Sequence, residues 1–189
     1  VRLDDEFYVE RPADVELKRQ IVQLGEIITI RGPRQTGKTS LLIRGIDNQE
    51  KVGKKIVHLD MQRVDSLHWD SIDKFLFYLA SVVFTRQLRL NPEYANSVWE
   101  NSFGPQDKLT FFLEDYVLRN SQHHILLAMD ELDRLVNSDF SSSFFSMIRA
   151  WRNSAARGGL WSKLNIILAI STEPHLLITD YNQSPFNIG

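Results

Sequence analysis

Apolar residues along the chain fall into two kinds of pattern. Short unbroken runs alternate with longer stretches in which they recur every three or four positions. The first unbroken run, Ile27-Ile28-Thr29-Ile30, is β-branched throughout, follows Gly25 and predicts a strand. Comparable runs at 55–60, 125–129 and 165–170 predict three more. A continuous apolar run such as Ile125-Leu126-Leu127-Ala128-Met129 suits a strand buried on both faces of a helix-covered sheet. Between them, Leu41, Leu42 and Ile46 recur at helical spacing after Lys38. Over 69–90 the apolar positions 72, 75, 76, 79, 82 and 83 keep a period near 3.6, and Asn91-Pro92 ends the pattern. Asp107 precedes another such pattern at Leu109, Phe112, Leu113, Tyr116 and Val117. Phe144, Phe145, Ile148 and Trp151 define a last helix over 138–157, stopped by Gly158-Gly159. Residues 91–106, with Pro92, Gly104, Pro105 and several Asn, predict an irregular connection. The order β-α-β-α-α-β-α-β describes a doubly wound α/β domain, a parallel sheet between two helical layers.

Gly32-Pro33-Arg34-Gln35-Thr36-Gly37-Lys38-Thr39 lies between the first strand and the first helix and matches G-x-x-x-x-G-K-[ST]. Glycines at both ends let the backbone curl until successive N–H groups point inward at a helix N-terminus, which favours phosphate. Lys38 is expected to reach the β- and γ-phosphates and Thr39 to place its hydroxyl on Mg²⁺, with Ser40 completing the segment. Arg34 occupies a variable position, where a solvated side chain competes with a catalytic one.

The third strand runs directly into Asp130-Glu131. In open parallel sheets ligands bind beyond the carboxyl ends of the strands. Asp130 is therefore the candidate for Mg²⁺ and Glu131 for orienting and polarising an attacking water. The competing reading is that Asp130 or Asp133 caps the helix beginning near Leu132. Ser171-Thr172, ending the fourth strand, are candidates to sense the γ-phosphate, although polar residues after strands are common. Arg149, Arg152 and Arg157 either complement their helix dipole or lend charge to a neighbour's nucleotide.

The chain has 189 residues, enough for one sizeable core. Its 22 basic and 24 acidic side chains give a formal charge of −2, which argues against a protein that coats nucleic acid. There is no cysteine, which removes disulfides, thiol nucleophiles and Cys-ligated metal sites. No run approaches the ~18 apolar residues of a membrane span, and the acidic start is unlike a signal peptide, so a cytoplasmic location is expected. His123-His124 are poorly spaced for metal, and the four Trp follow apolar patterns suited to packing. A chain that starts without Met and stops at Gly189 is expected to be a fragment of something longer.

GPRQTGKTS at 32–40 and LLAMDELDRL at 126–135 resemble the P-loop ATPases of the bacterial AAA-like and STAND group. FYVERPAD at 7–14, SSSFFSMIRAW at 141–151 and SPFNIG at 184–189 resemble further segments of that family. The resemblance implies a P-loop three-layer sandwich with strand order 5-1-4-3-2. It also implies an adenine pocket built partly from residues 1–26, with Tyr8, Val9 and Pro12 near it, and a helical lid after the fifth strand. Packing of an N-terminal arm is the alternative for those three residues. The core would occupy 27–189 and end before the lid, which would leave the fragment weak or inactive. The implied function is an ATP/ADP-binding, Mg²⁺-dependent switch that hydrolyses ATP in its parent and controls signalling or assembly. Effector or sensor domains of the same chain would be its partners, with homo-oligomerisation on activation. A non-hydrolysing interaction scaffold is the alternative, and a nucleic-acid-associated ATPase is less favoured. No Asn-Lys-x-Asp segment supports guanine recognition.

Overall fold

A computed structural model describes residues 8–171. Four strands, β1 (Ile27–Gly32), β2 (Lys55–Asp60), β3 (Ile125–Asp130) and β4 (Leu164–Ser171), form one sheet in the order β1-β4-β3-β2, with every pair parallel. This is the expected relative order of the first four strands. The fifth, expected beside β1, lies outside the described residues.

Strand alternation divides the core between two faces. Ile125, Leu127 and Met129 of β3, with Leu164, Ile166, Leu168 and Ile170 of β4, point into the larger cluster. It is filled by Phe75 of α3 (Ile72–Tyr78), Phe84 just ahead of α4 (Thr85–Leu88), Phe112 of α6 (Pro105–Phe112) and Phe144 of α8 (Ser141–Ala156), with Ala95 and Val98 of α5 (Glu93–Trp99) and Leu135 of α7 (Asp133–Val136). Leu126, Ala128, Ile167 and Ala169 face the other way, against α1 (Pro12–Ile21) and α2 (Lys38–Lys51). The two alanines on this face leave room for α2 to lie close to the sheet.

Helix α3 runs through a π-helical stretch, Leu79–Phe84, into α4, and α6 continues into a second, Leu113–Leu118. The long helix expected over 69–90 starts at Ile72, because Ser71 caps it by accepting the Lys74 amide. Two helices differ from the sequence reading. Within 91–106, α5 forms because Ala95 and Val98 are buried one turn apart, a stripe too short to register as a period. Helix α1 lies in the segment read only as an N-terminal arm; its buried stripe is Asp14, Leu17 and Ile21, with an acid where a third hydrophobe is expected.

Polar ties hold the end of α1 at the amino ends of the strands. The fully buried Asn165 amide donates to Gln23 O at 2.6 Å, and Lys54 Nζ donates to Ile21 O at 3.0 Å. These bonds satisfy carbonyls that a helix terminus leaves unpaired. All four Trp pack into the larger cluster, and the indole N–H groups of Trp99, Trp151 and Trp161 are bonded to Asp73, Thr110 and Glu114. None of the helices among the described residues is long and apolar enough to cross a membrane.

Candidate functional site

The loop after β1 turns twice through left-handed backbone, at Gln35 (φ 62°) and Gly37 (φ 79°), before α2 begins at Lys38. Left-handed φ is unstrained for glycine, so Gly37 is dictated by the turn. Thr36 Oγ1 and Lys38 Nζ both donate to Pro33 O, at 2.8 and 2.7 Å, drawing the loop into a closed cup. A Cβ on Gly32 would sit 3.0 Å from Thr36 Oγ1, tighter than packing comfortably allows. The first turn of α2 carries no acidic residue, and its leading amides have no intrahelical acceptor, as an anion site requires. Lys38 is largely buried, and its ammonium donates to the neutral Pro33 carbonyl.

Opposite the cup, β3 delivers Asp130, which is buried and accepts the Glu131 amide at 2.9 Å. Glu131 itself is left-handed at φ 55°, a conformation that costs a non-glycine residue about 1 kcal/mol or more. Its carboxyl is pushed above the usual glutamate range, first by burial and then by repulsion from Asp130 and Asp133, while Lys38 pulls the other way. The turn is fastened to the end of β4: Leu132 N donates to Ala169 O at 3.1 Å and Ser171 N donates to Asp133 Oδ1 at 3.0 Å. Neither Asp130 nor Asp133 caps α7, whose first residue is Asp133 itself.

These pieces enclose one open hollow of about 580 Å³, lined by Arg34, Gln35, Gly37, Lys38, Thr39, Gln62, Glu131 and Ser171. Thus Glu131 and Ser171, far apart in sequence, share a wall-to-wall cavity with Lys38 and Thr39. Gln62 was not expected there. It enters because β2 and β3 end level, Asp60 opposite Asp130, and the Gln62 amide donates to Asp60 Oδ1 at 2.9 Å. The available signal was its place just beyond a strand neighbouring β3. Thr172 lies outside the described residues.

The N-terminal candidates are placed less centrally. Val9 is 77% exposed and Pro12 is exposed at the first turn of α1. Tyr8 lines a separate hollow between α1 and α2, with its ring beneath the Arg44 guanidinium at 3.5 Å. Arg152 meets Glu26 at 3.6 Å, at the amino ends of the strands and away from the phosphate loop, while Arg149 and Arg157 are exposed. A residue that sequence reasoning missed reaches the loop instead: Arg11 donates from Nη1 to Thr36 O at 2.8 Å and from Nη2 to Gly37 O at 3.4 Å. Only its position just ahead of α1 marked it.

The residues present fit a magnesium nucleotide. The cup presents the first amides of α2 and the Lys38 ammonium, and the facing wall presents the Glu131 carboxyl and Ser171, while the buried Asp130 does not itself line the hollow. Among the described residues no three His, Asp or Glu side chains converge as a metal cage, so Thr39 and Asp130 would need water and phosphate oxygens to complete a magnesium shell.

A parallel sheet ordered β1-β4-β3-β2, a glycine-bounded loop between β1 and α2, and acids ending β3, the next strand but one from β1, define the P-loop nucleoside-triphosphatase fold. Within that class the chain belongs to the AAA-like domain family, whose model matches residues 1–189. An uncharacterized WD repeat-containing protein of Synechocystis is 29% identical over 191 residues, covering 96% of this chain and 15% of that protein. The chain therefore spans about one seventh of that relative's length. The Aeropyrum pernix ORC2 protein, solved in ADPNP–ADP complexes, superposes with a TM-score of 0.53 at 17% identity, over 88% of this chain and 43% of ORC2. That likeness is one of fold.

Proposed function

We propose that this domain binds ATP with Mg²⁺ and acts as a nucleotide-dependent switch, hydrolysing ATP within its longer parent. The observation that carries this reading is the shared hollow in which Glu131 and Ser171 face Lys38 and Thr39. The loop amides and Lys38 would hold the β- and γ-phosphates, and Thr39 with Asp130 would hold the cation. Bound magnesium would supply neutralisation of the charge that develops on the phosphates. Glu131, with a carboxyl more basic than usual, is suited to accept a proton from the attacking water, and Ser171 to bond the γ-phosphate or that water. Adenine is the base expected, beside the segment 8–12. A cytoplasmic, STAND-type role in bacterial signalling or assembly belongs to the same reading. It is supported by the WD repeats in the name of the longer relative, which suggest further modules on the parent chain.

Titration of the intact parent with Mg²⁺-ATP tests this. Wild type is expected to bind and turn over; Lys38→Ala is expected to weaken binding by about tenfold or more, and Glu131→Gln to bind without turnover. No binding by wild type, or equal binding by Lys38→Ala, would sink the nucleotide reading. Binding without turnover in wild type would leave a scaffold that nucleotide merely stabilises.

A further inference from the structure

We propose that Arg11 is a positioning residue of the phosphate loop: held by Asp14 and Tyr8, its guanidinium fixes the Thr36–Gly37 peptide with the N–H turned into the cup. The segment 8–14 would thereby set how tightly the loop holds a polyphosphate. The inference rests on reading that loop as the phosphate site.

The argument starts from peptide geometry. In a trans peptide the carbonyl of one residue and the N–H of the next lie in one plane and point in opposite directions. Arg11 Nη1 donates to Thr36 O at 2.8 Å, so the Gly37 N–H is directed away from Arg11. Nη2 also donates to Gly37 O, which accepts the Leu41 amide at 3.0 Å as the first bond of α2. One planar fork therefore bridges the last loop carbonyl and the first helical one. The approach is close: a Cβ on residue 37 would lie 3.0 Å from Arg11 Nη1. Gly37 is thus constrained twice, by its left-handed φ and by the guanidinium seated against it.

The fork is itself held in place. Asp14 is almost wholly buried and accepts the Arg11 amide at 2.9 Å, Arg11 Nε at 3.4 Å and the Tyr8 hydroxyl. Arg11 Nη2 reaches the Tyr8 oxygen at 3.2 Å, and the Tyr8 ring lies under Arg44 of α2. The result is a closed circuit from α1 through Arg11 to the loop, along α2 and back through Arg44 and Tyr8. A lysine at position 11 would keep the charge but present a single ammonium, which cannot bridge two carbonyls in a fixed plane. With the fork gone, the 36–37 peptide is free to rotate and the cup loses a preorganised donor. By thermodynamic reciprocity, polyphosphate in the cup would in turn stabilise the docked position of segment 8–14.

Inorganic pyrophosphate is the direct probe, because it engages the cup and offers no base to the N-terminal segment. In the intact chain, Arg11→Lys and Asp14→Asn are each expected to weaken pyrophosphate binding by about tenfold in calorimetric titration. In the unliganded state both are expected to speed amide hydrogen exchange in the peptide covering 33–41 while exchange in β3 and β4 stays at the wild-type rate. A general loss of structure would raise exchange everywhere and would overturn a positioning role. So would wild-type pyrophosphate affinity in Arg11→Lys. Lys38→Ala, measured alongside, separates the two ideas: if wild type and Lys38→Ala both fail to bind, the phosphate-site reading falls and this inference with it. If wild type binds, Lys38→Ala does not and Arg11→Lys matches wild type, the positioning role alone falls.

Discussion

At the level of single residues, Glu131 concentrates the tension between stability and chemistry. It adopts a left-handed backbone, sits partly buried, and faces two neighbouring acids. A carboxyl whose folded pKa lies above its unfolded value contributes stability that is fully present in acid and is lost as pH rises through the folded pKa. Near neutral pH the charged form is therefore a cost to the fold. Glu131→Gln should raise the thermal midpoint at pH 7, with the gain vanishing as pH falls to the ordinary glutamate value of about 4.3. A melt series across that range checks it; a variant less stable than wild type at pH 7 would refute the account. If Glu131 is the proposed base, the rate of ATP turnover should fall on the acid side at a pH above the ordinary glutamate value of about 4.3. The acid pair was legible because it ends an apolar strand, and Lys38 and Thr39 because their motif has a mechanism. Gln62 and Arg11 were not legible, since one depends on two strands ending level and the other on where a helix docks.

At the level of elements, the strands were readable because burial on both faces leaves no polar position in β3 before Asp130. The helices were less so: α1 carries Asp14 in its buried stripe, an acid whose role appears only once Arg11 and Tyr8 are in place. Burial alone would raise the Asp14 carboxyl; hydrogen bonds from Tyr8 and Arg11 bring it below the usual range instead. The edge of β2 shows a different device. Residues 56, 58 and 60 turn their backbone groups away from β3, and the Gln87 side chain covers His58 by accepting its N–H at 2.8 Å and donating to its C=O at 2.9 Å. The amide stands where another strand would pair. Gln87→Ala should lower stability by about 1 kcal/mol in urea unfolding and promote concentration-dependent association in sedimentation. Unchanged sedimentation with unchanged stability would remove this role.

At the level of the whole molecule, the two faces of the sheet are unequal. The larger cluster collects four fully buried phenylalanines, whereas α1 and α2 rest on a smaller set built around Leu17, Ile21, Leu41 and Leu42. Local opening follows the thinner packing. Amides in α1 and α2 should exchange at least about tenfold faster than those in β3 and β4, and Mg²⁺-ATP should slow α1 and α2 preferentially. Uniform exchange in both layers, measured by mass spectrometry, would contradict this. The face that carries the phosphate loop is then also the face with most freedom to respond.

The sheet order has a mechanical corollary. β2 and β1 are the two outer strands among the described residues, and the β2 margin is plugged at its middle by Gln87. On β1, the backbone groups of Ile27, Thr29 and Arg31 turn outward beside a hollow shared with α1, Pro33, Thr36 and Lys38. Among the described residues the sheet is thus directional, plugged at the β2 margin and without a partner strand at the β1 margin. The fifth strand expected beside β1 would therefore run next to the phosphate loop, making strand docking and phosphate binding neighbours in one groove.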